Sequence, residues 1–392
     1  MLPADHIPAR PGPALAQRVA LKVGTRVLTH DDGSLATERL KALVSTAAQA
    51  VREGREVFII SSGAVGLGRE ALKMGGEPSD LTERQACAAV GQSRLMGLYQ
   101  QSFAEEGLLC AQVLLTEADF DDRLRYLHLR GTLAALLRRG CVPIINENDV
   151  VSGAELAYVE GLARPIFSDN DRLAALVASK LDADLLVLLT DVDGIYERDP
   201  ALHPDATLLS RVDAGEEEQV SSLAGGAGPA GRGGMRSKVR AAAIAARSGA
   251  DAVIASGRDP EALPALLSGH DIGSWFPARG GLPARQRWIA FAAAARGSLL
   301  LDSGAVQALR EQGASLLAVG VAEVTGDFLA GDVVELKGPT GAIIGRGLVH
   351  CSAEQARRWC AGERPQGLRN HHALVHRDLL VLHERDSTRE RS

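Results

Sequence analysis

Six short apolar runs alternate with segments of helical periodicity, and this alternation constrains the fold more than any other feature of the chain. The runs, interpreted as buried strands, are Val19–Val23, Glu56–Ile60, Ala111–Leu115, Val142–Ile145, Leu185–Leu189 and Ala252–Ile254. Short apolar runs of this kind are typical of strands that are covered on both sides. Strands that alternate with helices form a mostly parallel sheet with helices on both faces. The sequence therefore predicts an α/β fold, a three-layer αβα sandwich around an open sheet.

The segments between these runs have the apolar spacing of amphipathic helices. The clearest extends from Glu38 to Arg52, with Leu40 and Leu43 on its apolar face and Thr37 predicted to cap it. Further helices are predicted near Glu83–Phe103, Leu127–Arg139, Arg172–Leu181 and Arg236–Arg247. These helices would supply the two outer layers of the sandwich.

Two segments interrupt the alternation and divide the chain. Ala214–Gly234 joins an acidic run to a glycine-rich stretch, which predicts a flexible loop, and Pro277–Arg287 has the composition of an interdomain linker. Beyond the linker, a small, mainly β domain is predicted from short alternating strands at Ala318–Val324, Asp332–Leu336, Ala342–Val349 and Leu379–Leu382. We therefore predict a disordered tail over residues 1–15, a first domain over 16–276, the linker over 277–287 and a second domain over 288–385.

Composition places the chain among soluble cytoplasmic proteins. Hydrophobic residues make up 46% and charged residues 23% of the 392 residues, and the net charge is −6. This acidic balance disfavours nucleic acid or an anionic membrane as the main partner. Residues 1–13 lack the apolar core of a signal peptide, and no apolar run approaches the ~20 residues of a membrane span. The five scattered cysteines never have C-x-x-C spacing, which is typical of reduced thiols in the cytosol.

Polar and glycine residues follow four of the predicted strands. They are Lys22-Val23-Gly24-Thr25, Ser61-Ser62-Gly63, Asn146-Glu147-Asn148-Asp149 and Thr190-Asp191. In open α/β sheets, ligands bind beyond the carboxyl ends of the strands. Any one of these groups fits an ordinary turn, but a chain without a ligand site has no need for all four. The sequence therefore predicts a binding site at this edge of the sheet.

A glycine-rich run from Gly231 to Lys238 opens the last predicted helix of the first domain. Bare backbone amides at a helix N-terminus bind anions, and glycine lets a phosphate group approach closely. Lys238 lies in the first helical turn, where its charge opposes the helix dipole unless an anion offsets it. A phosphate site is the favoured interpretation, and a glycine hinge with a solvated lysine is the alternative.

The run Asp169-Asn170-Asp171 opens another predicted helix. Either aspartate fits a helix cap, but three such residues exceed what capping requires, which favours a functional role. The sequence contains no Walker-A run, protein-kinase signature, G-x-S-x-G elbow or dinucleotide-binding fingerprint. The candidate site residues therefore follow none of these four patterns.

Together these motifs resemble those of the amino-acid kinase family. The matching signatures, in the family's order, are Leu21–Thr25, Ser61–Ala64, Ala89–Ser93, Ile145–Asp149, Asp169–Asp171, Leu189–Asp191 and Gly233–Met235. Beyond Arg287 the chain resembles the PUA domain that follows many kinases of the glutamate branch, at Gly313–Leu317, Val324–Phe328 and Ala373–Asp378. The resemblance implies an amino-acid kinase fold followed by a small, mainly β PUA domain.

The resemblance also implies an activity, the ATP-dependent phosphorylation of the γ-carboxylate of L-glutamate at the start of proline synthesis. Lys22 and Lys238 would be catalytic residues that handle the transferred phosphate, and Asp171 would orient them. The residues implied to bind glutamate are Ser62, Asp149 and Asn170. The residues implied to bind ATP are Lys22, Thr190, Asp191, Arg232, Gly233, Gly234, Met235, Arg236, Ser237 and Lys238. Mg²⁺ is implied as the companion of ATP, and no metal ligand is predicted on the protein.

The resemblance further implies feedback inhibition by proline and assembly into a homo-oligomer, either a dimer or a tetramer. It leaves open whether the chain docks to glutamate-5-semialdehyde dehydrogenase. One alternative is a kinase of the same fold for another carboxylate or a carbamate. Another is an RNA-binding PUA protein, which residues 296–392 disfavour because 12 Lys or Arg balance 12 Asp or Glu. The sequence departs from the family pattern at Ser168, at Arg232, at Tyr126–Arg130 and in a longer stretch Gly153–Phe167. The last two departures concern substrate affinity and regulation more than phosphoryl transfer.

Overall fold

The chain forms two compact units, Met1–Gly281 and Leu282–Ser392. The computed structural model describes residues 10–32, 34–116, 118–152, 170–200, 202–203, 205–213, 215–223, 234–279, 286, 289–290, 295–363 and 373–382. The division between the units falls within the segment that the sequence predicts as a linker, residues 277–287. Each unit has a hydrophobic core of its own.

A seven-stranded sheet forms the centre of the first unit. Its strands are β1 (Arg18–Val23), β2 (Glu56–Ser61), β3 (Cys110–Leu115), β4 (Val142–Glu147), β5 (Leu185–Thr190), β6 (Asp251–Ser256) and β7 (Ser274–Phe276). The spatial order is β3-β4-β2-β1-β5-β6-β7, and every pair is parallel except β6 with β7. The six predicted strands are confirmed. The seventh was missed because its three residues are too short to show a periodicity.

Helices surround this sheet. They are α1 (Pro11–Leu15), α2 (Thr25–Leu28), α3 (Thr37–Arg52), α4 (Ala64–Ala71), α5 (Leu81–Glu105), α6 (Ala118–Asp121), α7 (Arg123–Arg138), α8 (Asn170–Lys180), α9 (Glu217–Leu223), α10 (Met235–Arg247) and α11 (Ala262–Leu267). The central strand β5 is buried along its whole length, which requires cover on both faces of the sheet. The predicted α/β fold with a mostly parallel sheet is thus confirmed.

One sheet face can be followed residue by residue. Leu21 and Val23 of β1 pack in the same hydrophobic cluster as Leu40 and Leu43 of α3. Because side chains alternate along a strand, Lys22 lies on the opposite face of the sheet. The predicted cap at Thr37 is wrong, since the N-cap residue is Ala36 and no side chain caps the helix.

Two segments predicted to lack structure contain helices. Helix α1 lies in the predicted tail, residues 1–15, and Arg10 before it is buried and donates hydrogen bonds to the carbonyls of Ile272 (2.6 Å) and Ser210 (2.7 Å). Residues 1–9 lie outside the described part of the chain. In the predicted loop Ala214–Gly234, the acidic run opens α9, where acidic side chains in the first turn interact favourably with the helix dipole. Glu217 also forms an ion pair with Arg279.

The second unit contains a five-stranded sheet. Its elements are β8 (Ala295–Leu301), α12 (Ser303–Gln312), a 3₁₀ turn (Ala318–Gly320), β9 (Val321–Gly326), β10 (Val333–Lys337), β11 (Ile343–Val349), α13 (Ala353–Cys360) and β12 (Val375–Leu382). The strand order is β12-β11-β10-β8-β9, and only β8 with β10 is parallel. A small, mainly β domain was predicted, but β8 was missed because its first half is polar. No helix among the described residues of either unit is long and apolar enough to cross a membrane.

Candidate active site

Three buried charged side chains meet at the carboxyl edge of the sheet. The Nζ atom of Lys22 lies 2.5 Å from Oδ1 of Asp171, and the Nζ atom of Lys238 donates to Oδ2 of the same carboxylate at 3.1 Å. Asp171 is fully buried, and the two lysines are 5% and 7% exposed. We call Lys22, Asp171 and Lys238 the charge triad.

The local sequence explains why these three residues come together. Lys22 is the second-last residue of β1, while Asp171 and Lys238 each lie in the first turn of a helix, α8 and α10. Helix α8 packs against both β1 and α10. A carboxylate in the first turn of α8 interacts favourably with the helix dipole, whereas an ammonium in the first turn of α10 does not. Lys238 is therefore held there by Asp171, and both lysines remain positioned to attract an anion.

The electrostatics of the triad favour an ionised carboxylate. Burial alone would raise the pKa of Asp171, but the ammonium groups of Lys22 and Lys238 outweigh that cost and hold its pKa below the ordinary value. One carboxylate against two ammonium groups leaves the triad with a net positive charge. Such a group can stabilise negative charge that develops on a phosphoryl group beside it.

A cluster of amide side chains lies next to the triad. The Nδ2 group of Asn170 donates to Oγ of Ser62 at 2.9 Å, to Oδ1 of Asn146 at 3.0 Å and to the carbonyl of Ser61 at 3.2 Å. Asn146 in turn donates from Nδ2 to Oε1 of Gln92 at 2.8 Å. We call Asn170, Asn146 and Gln92, together with the Ser62 hydroxyl, the amide cluster. Since Asn170 is the immediate neighbour of Asp171 in the chain, the amide cluster and the charge triad meet at the start of α8.

Ser62 owes its place to the turn between β2 and α4. Gly63 is the N-cap of α4 and has φ of 106°, a left-handed conformation that favours glycine. The turn ends β2 abruptly and leaves Ser62 at the carboxyl edge of the sheet. Its hydroxyl oxygen accepts from Asn170, so its own proton can be donated to a bound ligand.

Asp149, a predicted substrate residue, lies in the turn directly after β4. The backbone N–H groups of Val151 and Ser152 both donate to the carbonyl of Asn148, at 3.2 and 3.0 Å, which closes this turn. Asp149 is partly buried. It stands three positions after Asn146, on the same segment that leaves the sheet.

The residues implied to bind ATP occupy the neighbouring strand end and the start of α10. Thr190, the last residue of β5, donates from Oγ1 to Asp191 at 3.1 Å, and Asp191 accepts from Arg26 at 2.9 Å. Burial opposes ionisation of Asp191, but the hydrogen bond from Arg26 helps to hold its pKa below the ordinary value.

Gly234 is the N-cap of α10 and has extended backbone dihedral angles. Met235, Arg236, Ser237 and Lys238 form the first turn of that helix. Arg232 and Gly233, which were predicted to complete this ATP-binding run, lie outside the described residues.

The structure adds residues for which no individual role was predicted. Asn146 and Gln92 belong to the amide cluster, and Arg26 pairs with Asp191. Asn146 and Gln92 lie inside two of the motifs that carry the family resemblance, so the motifs marked them without indicating what they contact. No comparable signal marked Arg26, whose partner is 165 positions away.

Comparison with known proteins identifies the same two domains that the sequence motifs indicate. Residues 17–256 match the model of the amino acid kinase family, and residues 297–365 match the PUA domain. The chain is 43% identical to a glutamate 5-kinase of Marinomonas sp. (strain MWYL1), over 94% of this chain and 98% of the relative. It is 45% identical to a glutamate 5-kinase of Deinococcus radiodurans, over 93% of this chain and 99% of the relative. The chain therefore belongs to the amino acid kinase family and carries a PUA domain after its kinase domain.

Proposed function

We propose that this chain transfers the γ-phosphoryl group of ATP to the side-chain carboxylate of L-glutamate, giving L-glutamyl 5-phosphate, the first intermediate of proline synthesis. The observation that carries the proposal is the adjacency of the charge triad and the amide cluster at the start of α8. The first can stabilise a phosphoryl group, and the second can orient an amino-acid acceptor. The names of the relatives, which match over nearly their full length, support this choice of substrate.

The reaction requires no general base. The γ-carboxylate of glutamate has a reference pKa of about 4.3 and is ionised at neutral pH, so it attacks the phosphorus directly. A carboxylate oxygen forms a bond to the γ-phosphorus while the bond from that phosphorus to the ADP oxygen breaks. The obstacle is repulsion between two anions, and the ammonium groups of Lys22 and Lys238 would offset it as charge spreads over the transferred group.

Asp171 has a supporting role in this scheme. It is buried between the two lysines and holds both ammonium groups at the edge of the sheet. Its contacts with them leave it a poor candidate for a proton acceptor, because its pKa is held low. We assign Asp171 the orientation of Lys22 and Lys238.

For ATP, we assign the strand end Thr190-Asp191 and the run from Arg232 to Lys238. The N-terminal amides of α10 suit phosphate groups, because a helix N-terminus combines free N–H donors with the positive end of the helix dipole. Gly234, the N-cap, carries no side chain that would keep a phosphate away. Arg232 and Gly233 enter this assignment on the family resemblance alone.

Mg²⁺ fits the site as a companion of ATP. Within the described ranges, no three His, Cys, Asp or Glu side chains form a group suited to a metal ion. Asp171 is bound by two ammonium groups and Asp191 is paired with Arg26. Mg²⁺ usually keeps several waters and binds largely through the substrate's phosphates, so it needs few ligands from the protein. When bound with ATP, it would neutralise part of the phosphate charge.

For glutamate, we assign Ser62, Asn170 and Asp149. The hydroxyl proton of Ser62 is available to a carboxylate oxygen, and the carboxylate of Asp149 suits the substrate ammonium. Fixing both ends of the acceptor places its γ-carboxylate for attack, which lowers the entropic part of the barrier. The direct test is ADP release over a panel of acceptors, namely glutamate, aspartate, N-acetylglutamate and carbamate. Glutamate should give the highest kcat/KM, and a preference for another acceptor would identify a different kinase of the same fold.

Other implications of the family resemblance stay predictions. They are a cytoplasmic location, a dimeric or tetrameric assembly, inhibition by proline and docking of glutamate-5-semialdehyde dehydrogenase. RNA binding by the PUA domain stays disfavoured by the balanced charge of residues 296–392.

Replacing Asp149 by alanine should raise the KM for glutamate and leave the KM for ATP nearly unchanged. Loss of a close charged partner costs roughly 2–5 kcal/mol in binding. Initial rates with each substrate varied in turn measure the effect, and Asp378→Ala, an exposed aspartate of the second unit, is the control. A weaker affinity for ATP with unchanged affinity for glutamate would show that the two halves of the site are assigned in reverse.

A chain shortened to end at Gly281 should fold and keep kcat within roughly tenfold, a barrier change of about 1.4 kcal/mol. All assigned site residues precede position 240, and the first unit has its own core. The cut should fall after Arg279, because the N–H of Ala278 donates to Asp251 and the N–H of Arg279 donates to Ala246. Cooperative unfolding and turnover are compared with the full chain. A folded but inactive product would mean that the PUA domain completes the active site.

A further inference from the structure

Helix α5 carries a motif, Ala89–Ser93, to which the proposed reaction gives no role. Three residues of this helix nevertheless contact residues that lie beside the proposed glutamate site, at the ends of β4 and β2 and at the start of α4. Gln92 accepts from Asn146 at 2.8 Å, the hydroxyl of Tyr99 lies 3.0 Å from Oγ of Ser61, and Gly91 adjoins Ala64. Gln92 and Tyr99 lie on one face of α5, since residues seven positions apart are about two helical turns apart. The helix therefore reaches the ends of both β2 and β4.

The contact at Gly91 brings two backbones together. A Cβ atom at this position would lie 1.7 Å from the carbonyl oxygen of Ala64 and 2.5 Å from the nitrogen of Gly68. A Cβ atom on Gly68 would lie 1.8 Å from the carbonyl oxygen of Cys87. At these two glycines the backbones of α4 and α5 touch directly, with no side chain between them. Because α4 begins directly after Ser62 and Gly63, its contact with α5 helps to hold Ser62 in place at the proposed glutamate site.

The contact at Gln92 holds Asn146 at the end of β4. Which of the two side chains donates this hydrogen bond follows from the other bonds of Asn146. The N–H of Glu147 donates to Oδ1 of Asn146 at 2.9 Å, and a backbone N–H can only donate. The Oδ1 atom of Asn146 is therefore an acceptor, and it also accepts from Asn170 at 3.0 Å. The Nδ2 group must find its acceptor elsewhere, which is Oε1 of Gln92.

The Gln92 side chain is well suited to hold this amide. It is 9% exposed, and within the described part of the chain its own Nε2 group has no hydrogen-bond partner. The carbonyl oxygen is thus the atom through which Gln92 acts. It completes a one-directional chain of donors in which Asn170 donates to Asn146 and Asn146 donates to Gln92.

We propose that Gln92 is a positioning residue for the acceptor substrate, because its carbonyl holds the Asn146 amide and thereby the orientation of Asn170 and Ser62. The proposal rests on the proposed function, since it concerns the amino-acid half of the same site. Gln92 would act on the affinity for the acceptor and not on the affinity for the nucleotide, because among the described residues its side chain bonds to Asn146 and not to the charge triad.

The test uses three variants of the full chain. Gln92→Met keeps the length of the side chain but removes the acceptor, and it should raise the KM for glutamate roughly tenfold while the KM for ATP changes less than about twofold. Gln92→Glu keeps an acceptor oxygen and should stay closer to the wild type than Gln92→Met. Gln101→Met, at an exposed glutamine of the same helix, should have no effect.

A double-mutant cycle with Asn146→Ala separates positioning from simple packing. If Gln92 acts through Asn146, adding Gln92→Met to Asn146→Ala should not raise the KM for glutamate further. Additive effects, or an unchanged KM in Gln92→Met, would overturn the proposal. If Gln92→Met folds poorly, Gln92→Asn, which withdraws the amide by one methylene, carries the same test.

The wild-type assay over the acceptor panel keeps the two proposals distinct. Failure of the wild type with glutamate refutes the proposed function. The cycle is run on whichever acceptor the wild type uses, so the positioning role fails only through additivity or an unchanged KM.

Discussion

Alanine at Lys22 or at Lys238 is expected to lower kcat by roughly 10²-fold or more, the loss seen when a donor that stabilises the transition state is removed. Each ammonium group lies against Asp171 at the edge of the sheet, beside the residues assigned to phosphate and acceptor. Removing one leaves the attacking carboxylate and the phosphoryl group with less compensating charge as the new bond forms. The effect should therefore be on kcat, with a smaller effect on either KM.

The matched control is Lys41→Ala. Lys41 is exposed and pairs with Glu105 at 2.9 Å, so its loss should leave kcat unchanged. Steady-state rates at saturating glutamate and ATP measure all three variants, after thermal unfolding has confirmed that each is folded. Turnover close to the wild type in both Lys22→Ala and Lys238→Ala would remove these lysines from the mechanism.

Replacing Asp171 by alanine is expected to destabilise the fold by roughly 3–5 kcal/mol, the usual cost of removing one partner from a buried ion pair. The substitution leaves two buried ammonium groups close together with no carboxylate between them. Activity should also fall, because the lysines lose the group that orients them. Urea unfolding at pH 7 measures the stability, and a change below about 1 kcal/mol would contradict this account of the triad.

The same carboxylate predicts a pH dependence. Its folded-state pKa is below the ordinary value, so its contribution to stability is complete above the unfolded-state pKa and is lost as the pH falls through the folded-state pKa. The wild type should therefore lose stability on acidification below about pH 4 more steeply than Asp171→Ala does. Glu105→Gln, at an exposed pair with Lys41, is the control, and it should leave both the stability and its pH dependence nearly unchanged because solvent screens such pairs.

The sequence predicts most of the sheet because each central strand is an uninterrupted apolar run between helices of clear periodicity. The same reasoning places the polar strand ends together, since parallel strands end at one edge. The structure brings Lys22, Asp171 and Lys238 into contact, and it joins Ser62 to Asn170. Their catalytic and binding roles stay predictions.

The remainder depends on contacts that no local pattern contains. Helix α1 lies against the fold through Arg10, whose partners are more than 190 positions away, so its proline-rich sequence alone indicated disorder. Gln92 sits within a helix and is 54 positions from Asn146, so only the family motif drew attention to it. Edge strand β7 is too short for periodicity and is determined by its pairing with β6.

The most direct test of the central claim is to trap the product. Purified protein is incubated with ATP, Mg²⁺, glutamate and hydroxylamine, which converts an acyl phosphate into a hydroxamate. We expect glutamyl hydroxamate in amounts equal to the ADP released, no hydroxamate without glutamate, and a rate reduced roughly 10²-fold in Lys22→Ala. Release of ADP without hydroxamate, or faster hydroxamate formation from another acid, would contradict phosphorylation of the glutamate side chain by this site.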